Sequence, residues 1–218
     1  MPLDASTIAA FEELFRRAVT PAQAHGECPP IDYQLTAPKW QFLCYIADKK
    51  SIVLHGSGDP SISHFEPRQS NDTDEFGNRQ AVYGARDGLW PMYFAIVDRT
   101  SYRMGLMNAC VRVAEPKALA GSYYFFSVVG VELPEQPWRS GTVYLLPSNT
   151  FERQQLDRWH GLDIESMQVA SIVPVRPLAR LAITPDDFPF LQQIRRHDPA
   201  TIRQRALANP DGFPWQDA

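Results

Sequence analysis

The chain has 218 residues, of which 44% are hydrophobic, and this is enough to bury one substantial core. A formal net charge of −4 excludes a general attraction to nucleic acid or to acidic membranes, although a local basic face stays compatible with it. The 19 prolines outnumber the 12 glycines and favour short elements joined by stiff turns, so we expect one domain that is not a bundle of long helices.

The cysteines and the N-terminus indicate a reduced, cytoplasmic setting. Cys28, Cys44 and Cys110 are widely spaced and odd in number, and no CxxC pair suggests zinc or redox chemistry. No apolar run approaches the roughly 20 residues that cross a bilayer. The opening MPLDASTIAAFEELF carries acidic residues where a signal peptide needs positive charge, so we expect no export and no contact with a membrane.

The first half of the chain is predicted to combine helices with two short strands. Apolar residues recur at helical spacing over residues 7–19, after the candidate caps Asp4 and Ser6. A second helix, PKWQFLCYIADKK, is predicted to begin with Pro38 at its first position and to lead into the strand SIVLH. Residues 56–80 are rich in Gly, Pro, Asn, Asp and Ser, which predicts a long loop of the kind that is usually functional or disordered.

A second strand, AVYGA, is followed by the helical pattern of DGLWPMYFAIVDR. Pro91 is compatible with that helix only in its first turn. The helix is predicted to place Trp90, Tyr93, Phe94 and Val97 on one face.

The second half is predicted to be mainly strands. YYFFSVVGVE, GTVYLLP, VASIVPV and LARLAI are rich in β-branched or aromatic residues and are separated by turns such as PEQPWRSG and DRWHGLDIES. Two short helices, DDFPFLQQIRRH and PATIRQRALA, are predicted to follow. They carry the one basic cluster, Arg195, Arg196, Arg203 and Arg205, which we interpret as a solvated helix face.

Three common kinds of site are disfavoured by the motifs. GSGDPS at residues 56–61 lacks the third glycine and the following helix of a dinucleotide fingerprint. Ser57 is out of frame for the nucleophile turn of a serine hydrolase. The histidines show no metal-binding spacing, so we expect no metal cofactor.

The order of the remaining motifs resembles the ADP-ribosyltransferase superfamily of the His-Tyr-Glu type, which includes diphtheria toxin and the poly-ADP-ribose polymerases. In that superfamily a first strand ends in His-Gly-Ser or His-Gly-Thr, as in LHGSG here. A second strand supplies a tyrosine, as in VYGAR, and the next helix brings another aromatic residue. Tyr93 follows Tyr83 by ten residues. The resemblance covers residues 51 to about 183.

The resemblance implies an α+β fold in one domain over residues 1–218, with two packed, mostly antiparallel sheets in a split β-sandwich and short flanking helices. Residues 1–50 would form a helical lead-in, residues 51–183 the NAD-binding transferase core, and residues 184–218 a C-terminal helical segment.

The third motif departs from the family pattern. A glutamate begins a late strand in the family, and SMQVASIVPVRPLARLAI has that shape with Gln168 in the position of the glutamate. Gln168 keeps a hydrogen-bonding group but neither the negative charge nor the basicity of a carboxylate. Glu165, three residues earlier, is the rival candidate for catalysis, and Glu152 is a more distant one.

The resemblance also implies how NAD, as co-substrate, would be held. His55 would hydrogen-bond the 2′-hydroxyl of the adenosine ribose, while backbone groups of Gly56 and the hydroxyl of Ser57 would hold the nicotinamide amide. Tyr83 and Tyr93 would sandwich the cationic nicotinamide ring, with a core aromatic as the alternative for each.

Arg68 is the predicted partner of the NAD diphosphate, because a guanidinium pairs bidentately with phosphate. The alternative is an ion pair that anchors the loop through Glu66, Asp72 or Asp74.

The function predicted from the resemblance is mono-ADP-ribosyl transfer from NAD to a protein, a nucleic acid or a small molecule, as in a bacterial toxin or defence effector. An antitoxin would then be a further partner. Because of Gln168, two alternatives stay open: an NAD glycohydrolase, and a catalytically impaired module that binds NAD or ADP-ribose. A third alternative is an unrelated α+β interaction domain in which His-Gly-Ser is an ordinary turn.

Overall fold

The first helix is longer, and the second slightly shorter, than the sequence pattern predicts. The computed structural model describes residues 3–72, 74–115, 121–159, 161–209 and 212. Helix α1 (Ala5–His25) begins at the N-cap Asp4, whose carboxylate accepts the Thr7 amide at 2.8 Å, and ends at Gly26 in the left-handed region, with φ 68°. Helix α2 (Lys39–Lys49) has Pro38 as its N-cap, one position before the predicted one.

The fold class is α+β, as predicted. Within the described residues two further helices, α3 and α4, accompany two mostly antiparallel sheets. The helices are α3 (Trp90–Ile96) and α4 (Pro199–Ala208). The strands are β1 (Ile52–Ser57), β2 (Arg68–Gln69), β3 (Gln80–Ala85), β4 (Gly105–Glu115), β5 (Ser122–Val129), β6 (Gly141–Pro147), β7 (Glu152–Arg153), β8 (Asp157–Trp159), β9 (Leu162–Ser166), β10 (Gln168–Ser171), β11 (Ala179–Ile183) and β12 (Arg195–His197).

The first sheet has seven strands in the order β11-β6-β1-β3-β10-β7, with β2 added to β3. Strand β6 is long, apolar and nearly continuously buried, because it lies in the sheet between β11 and β1. The second sheet has five strands in the order β12-β5-β4-β9-β8. Met167 joins β9 to β10, so the chain passes there directly from the second sheet into the first.

Helix α3 packs between the two sheets. Its Pro91 carbonyl lies against Gly56 of β1, and the ring of Tyr93 contacts the ring of Phe126 of β5 at 4.9 Å between centroids. One core cluster therefore includes residues of both sheets, among them Leu54 and Val128. Within the described ranges, no helix combines the length and the apolar character that a membrane crossing requires.

Two secondary-structure predictions are wrong, and one strand was missed. DRWHGLDIES was predicted as a turn, but β8 and β9 pair there as antiparallel strands. The long strand β4 was not predicted. DDFPFLQQIRRH was predicted as a helix, but it forms two 3₁₀ turns (Pro185–Asp187 and Leu191–Gln193) and then β12.

Prolines explain the last of these differences, because Pro185 and Pro189 each fix φ and remove a backbone donor. Strand β12 carries Arg195 and Arg196, so these two arginines are not on a helix face. Arg196 instead donates to the backbone carbonyls of residues 133–135. Residues 210, 211 and 213–218 of the predicted C-terminal helical segment lie outside the described residues.

Candidate active site

The three motifs lie on three neighbouring strands of the first sheet. Strand β3, which carries Tyr83, lies between β1, which carries His55, and β10, which begins at Gln168. Ala85 of β3 is paired with Leu54 on one side and with Gln168 on the other. Because neighbouring strands lie about 4.8 Å apart, Gln168 is roughly 10 Å from β1. The fold thus brings together segments that are more than a hundred residues apart in sequence.

The sheet is split between β1 and β3 beyond this point. In the described register β1 and β3 pair only at Leu54 and Ala85, and further along β3 its free edge pairs with Arg68 and Gln69 of β2. The edge of β1 that faces β3 is therefore unpaired from His55 to Ser57 among the described residues.

The imidazole of His55 occupies the gap between the two strands. Its Nδ1 lies 2.6 Å from the backbone oxygen of Tyr83. Since a carbonyl can only accept, Nδ1 carries the proton, and in the neutral ring Nε2 then carries a lone pair. Burial lowers the pKa of His55 below its usual 6.5, although the hydrogen bond to Tyr83 opposes this shift. The site therefore presents a hydrogen-bond acceptor at Nε2.

The gap is also where groups from the two faces of the sheet meet. By strand alternation His55 lies on the face of Val53, and its ring contacts Phe65 on that face at 4.7 Å. Tyr83 and Gln168 lie on the opposite face with Ala85. His55 and Tyr83 thus meet through the backbone oxygen of Tyr83 and not through their rings.

Gly56 is required by the packing of α3. A Cβ atom at this position would lie 1.8 Å from the Pro91 carbonyl oxygen and 2.9 Å from the Ala95 amide nitrogen. Ser57 has a local role, because its hydroxyl accepts the amide of Asp59 at 3.1 Å and shapes the turn after the strand. The buried Tyr144 hydroxyl continues the anchoring of this loop by donating to Asp59 O at 2.7 Å and accepting from Ile62 N at 3.0 Å.

The hydroxyl of Tyr83 anchors the second part of the long loop. It accepts the Arg79 amide at 2.7 Å and donates to the Phe76 carbonyl at 2.9 Å. The phenol ring is half-buried, so one part of it packs on the loop while another part stays accessible.

We expect Tyr83→Phe to lower the free energy of unfolding by about 1–2 kcal/mol, because the Arg79 amide loses its partner while the ring is retained. Urea denaturation measures the change, and limited proteolysis reports faster cleavage within residues 70–79. Tyr102→Phe is the matched control, since the Tyr102 hydroxyl makes no hydrogen bond among the described residues. Equal stability of the two variants would contradict the anchoring role.

Tyr93 is a core aromatic residue, which was the alternative to its predicted stacking on the nicotinamide ring. Its side chain is fully buried, its hydroxyl donates to Ser127 O at 2.7 Å, and its ring packs on Phe126. Burial raises the pKa of this phenol. Phe94, predicted on the same buried face, is instead 37% exposed and follows Tyr83 by eleven residues. Sequence spacing alone does not distinguish these neighbouring aromatic residues.

The two candidates for the third motif differ in their surroundings. Gln168 is half-buried, and its side-chain amide makes no hydrogen bond among the described residues. Glu165 lies on β9 in the second sheet, where Arg86 forms a close ion pair with it and Nη1 of Arg153 lies 3.7 Å from Oε1. The carboxylate is thus near the start of β10 but is neutralised by arginine. Glu152, the more distant candidate, is exposed on β7 and pairs with Arg79 at 3.3 Å.

Arg68 is exposed on the edge strand β2 and makes no ion pair within the described residues, so Glu66, Asp72 and Asp74 do not anchor it there. His64 pairs with Glu66 at 3.0 Å instead. Arg79, the other arginine of this loop, was not the predicted phosphate partner. Its guanidinium stacks on Phe76 at 4.2 Å, and its Nε and Nη2 atoms are buried without a partner in the described part of the chain.

Two cavities, of about 600 and 320 Å³, lie away from these residues, beside α1 and beside residues 174–178. The candidate site is accordingly defined by the split between β1 and β3 and by the strands around it. Comparisons with protein families, with characterised proteins and with solved structures find no match for this chain.

Proposed function

We propose that this protein cleaves the nicotinamide glycosidic bond of NAD and transfers the ADP-ribose to an acceptor. The single observation that carries the proposal is the adjacency of β1, β3 and β10, with the sheet split at His55. A His-Tyr-Glu transferase would need its three motifs on adjacent strands in this order. The sequence spacing of residues 55, 83 and 168 does not by itself make these strands neighbours.

His55 would hold a ribose. Its Nδ1 proton is committed to Tyr83 O, so Nε2 accepts a hydrogen bond from a sugar hydroxyl. The fixed tautomer orients the ring before the substrate arrives, which lowers the entropy cost of binding. The unpaired edge of β1 at Gly56 offers backbone N–H and C=O groups to a planar amide such as that of nicotinamide.

Aromatic surfaces would hold the cationic ring of NAD. The half-buried Tyr83 would form one wall, and we assign the second wall to the partly exposed Phe94 on α3, because Tyr93 is buried with its hydroxyl bound to Ser127 O. A flat cation is attracted to the face of such rings by their quadrupole.

The candidate residues supply little negative charge to stabilise the transition state. Positive charge grows on the ribose as the bond to nicotinamide breaks, and a carboxylate would stabilise it. Gln168 supplies an amide only, and Glu165 is paired with Arg86. This arrangement supports slow transfer or slow hydrolysis. It also favours the second candidate, a module that binds NAD or ADP-ribose without turnover.

The test is release of nicotinamide from labelled NAD by the purified full chain, with and without a cell lysate as a source of acceptors. Label in macromolecules supports transfer, and free ADP-ribose supports hydrolysis. Calorimetric NAD binding without either product supports the binding module. Absence of both binding and turnover overturns the proposal.

Gln168→Glu should raise the rate of nicotinamide release by about 10-fold to 100-fold, because it places a carboxylate at the start of β10. Gln193→Glu is the matched control, since it makes the same chemical change on an exposed 3₁₀ turn. If the two variants release nicotinamide at the same rate, residue 168 does not occupy a catalytic position.

The lowered pKa of His55 predicts a pH dependence of stability. The unfolded chain protonates this residue near pH 6.5, while the folded protein protonates it only at lower pH. The unfolded state therefore binds more protons in that window, and the free energy of unfolding falls as pH drops below about 6.5. Urea denaturation between pH 8 and pH 5 should show a steeper loss for the wild type than for His55→Gln. A wild type that gains stability relative to the variant on acidification would contradict this prediction.

A further inference from the structure

Two arginines contact the Glu165 carboxylate, and a third is its cross-strand neighbour, where the chain passes from the second sheet into the first. Arg86 follows β3 and pairs with the carboxylate, and Arg153 approaches the same Oε1 atom to 3.7 Å. Arg112 is the register partner of Glu165 across β4 and β9, which puts their Cβ atoms about 5 Å apart. Gln168 begins β10 three residues later, and the Arg86 amide donates to Met167 O at 2.9 Å. The arginines therefore adjoin the candidate active site.

The cluster holds more positive charge than Glu165 neutralises. The Nε atom of Arg86 is buried and lacks a hydrogen-bond partner among the described residues. Burial lowers the pKa of Arg86, and the nearby Arg153 and Arg112 lower it further, while Glu165 opposes the shift. An additional anion at this point would relieve the repulsion between the guanidinium groups.

The carboxylate of Asp87, which follows Arg86 in the sequence, does not supply that anion. Asp87 is 3% exposed, and its Oδ1 accepts the amides of Leu89 and Trp90 at 2.8 and 2.9 Å. Its Oδ2 accepts the hydroxyl of Tyr124 at 2.7 Å. Its hydrogen-bonding capacity is thus used to cap α3 and to link this helix to β5.

We propose that Arg86, Arg112 and Arg153 form a phosphate-binding site next to Gln168. Guanidinium groups match phosphate oxygens in geometry and charge, and several of them around one group make the contact multidentate. Glu165 acts as an internal anion that competes with the ligand for the same guanidinium groups. The identity of the phosphate, from NAD or from a phosphorylated acceptor, rests on the proposed function, whereas the site itself does not.

The direct test is binding of inorganic pyrophosphate to the full chain, measured by calorimetry at low salt. Arg153 is suited to substitution, because its side chain is 65% exposed and its loss should not disturb folding. Arg153→Gln should weaken binding about tenfold. Arg158→Gln on the exposed strand β8 is the matched control and should change little.

Glu165→Gln should change the affinity for pyrophosphate in the opposite direction to Arg153→Gln. Removal of the competing carboxylate should tighten pyrophosphate binding about tenfold, whereas a purely structural role for the ion pair predicts no tightening. Circular dichroism checks that the variant is folded, and if it is not, the comparison of Arg153→Gln with Arg158→Gln decides alone. Pyrophosphate binding that is absent, or that Arg153→Gln and Arg158→Gln affect equally, would overturn the proposal.

Two further ligands identify the source of the phosphate. Weaker binding of ADP-ribose by Arg153→Gln assigns the site to the donor. Weaker binding of a 5′-phosphorylated oligonucleotide, with no change for its 5′-hydroxyl form, assigns the site to the acceptor. Pyrophosphate binding without any NAD turnover would remove the proposed transferase function and leave the phosphate site in place. NAD turnover without pyrophosphate binding would remove the phosphate site and leave the proposed transferase function in place.

Discussion

His55→Ala is expected to lower the rate of nicotinamide release from NAD by at least about 100-fold. The substitution removes the Nε2 acceptor and also the Nδ1 donor that is bound to Tyr83 O at 2.6 Å. The ribose then loses a fixed contact, and the gap between β1 and β3 loses the group that fills it. Effects of this size are typical when a substrate-orienting group is removed. Liquid chromatography of the released nicotinamide measures the rate.

His64→Ala is the matched control for this substitution. His64 is an exposed loop residue that pairs with Glu66, so its loss should leave the rate within about twofold of the wild type. Thermal unfolding of both variants separates a loss of activity from a loss of fold. A folded His55→Ala variant with the activity of His64→Ala would contradict the role assigned to the imidazole.

Gly56→Ala is expected to lower the free energy of unfolding by about 3 kcal/mol or more. The new methyl group would lie 1.8 Å from Pro91 O, which belongs to the backbone of α3 and cannot rotate away. The helix must shift as a unit, and its packing between the two sheets is then disturbed. Urea denaturation monitored by tryptophan fluorescence measures the change, since Trp90 is buried in α3.

Gly105→Ala tests whether this loss is specific to the contact. A Cβ atom at residue 105 would lie 3.7 Å from Val129 Cβ, an ordinary van der Waals distance. The stability of that variant should stay within about 0.5 kcal/mol of the wild type. A Gly56→Ala variant that is as stable as Gly105→Ala would show that α3 does not press on β1 as described.

Local sequence patterns predicted several elements of the fold correctly. The strands at residues 52–57 and 80–85 and the helix at residues 90–96 were visible because each combines an apolar run with turn residues at its ends. The α+β class and the two sheets followed from the family resemblance and are confirmed. The alternation in LDIES was a period-two signal for β9, but the polar residues around it favoured a turn.

The environment of the site could not be predicted in the same way. The ion pair between Arg86 and Glu165 joins residues 79 positions apart, and no local pattern relates them. The burial of Tyr93 and the exposure of Phe94 depend on the rotation of α3 between the sheets, which tertiary packing sets. The pairing of Ala85 with both Leu54 and Gln168 likewise depends on which strands become neighbours.

The most direct measurement is a crystal structure of the protein with a non-hydrolysable NAD analogue. We predict that a ribose hydroxyl lies within hydrogen-bond distance of His55 Nε2, about 2.7–3.2 Å, with the nicotinamide at the split between β1 and β3. An analogue that binds away from the split, with no ribose hydroxyl within hydrogen-bond distance of His55 Nε2, would contradict this prediction.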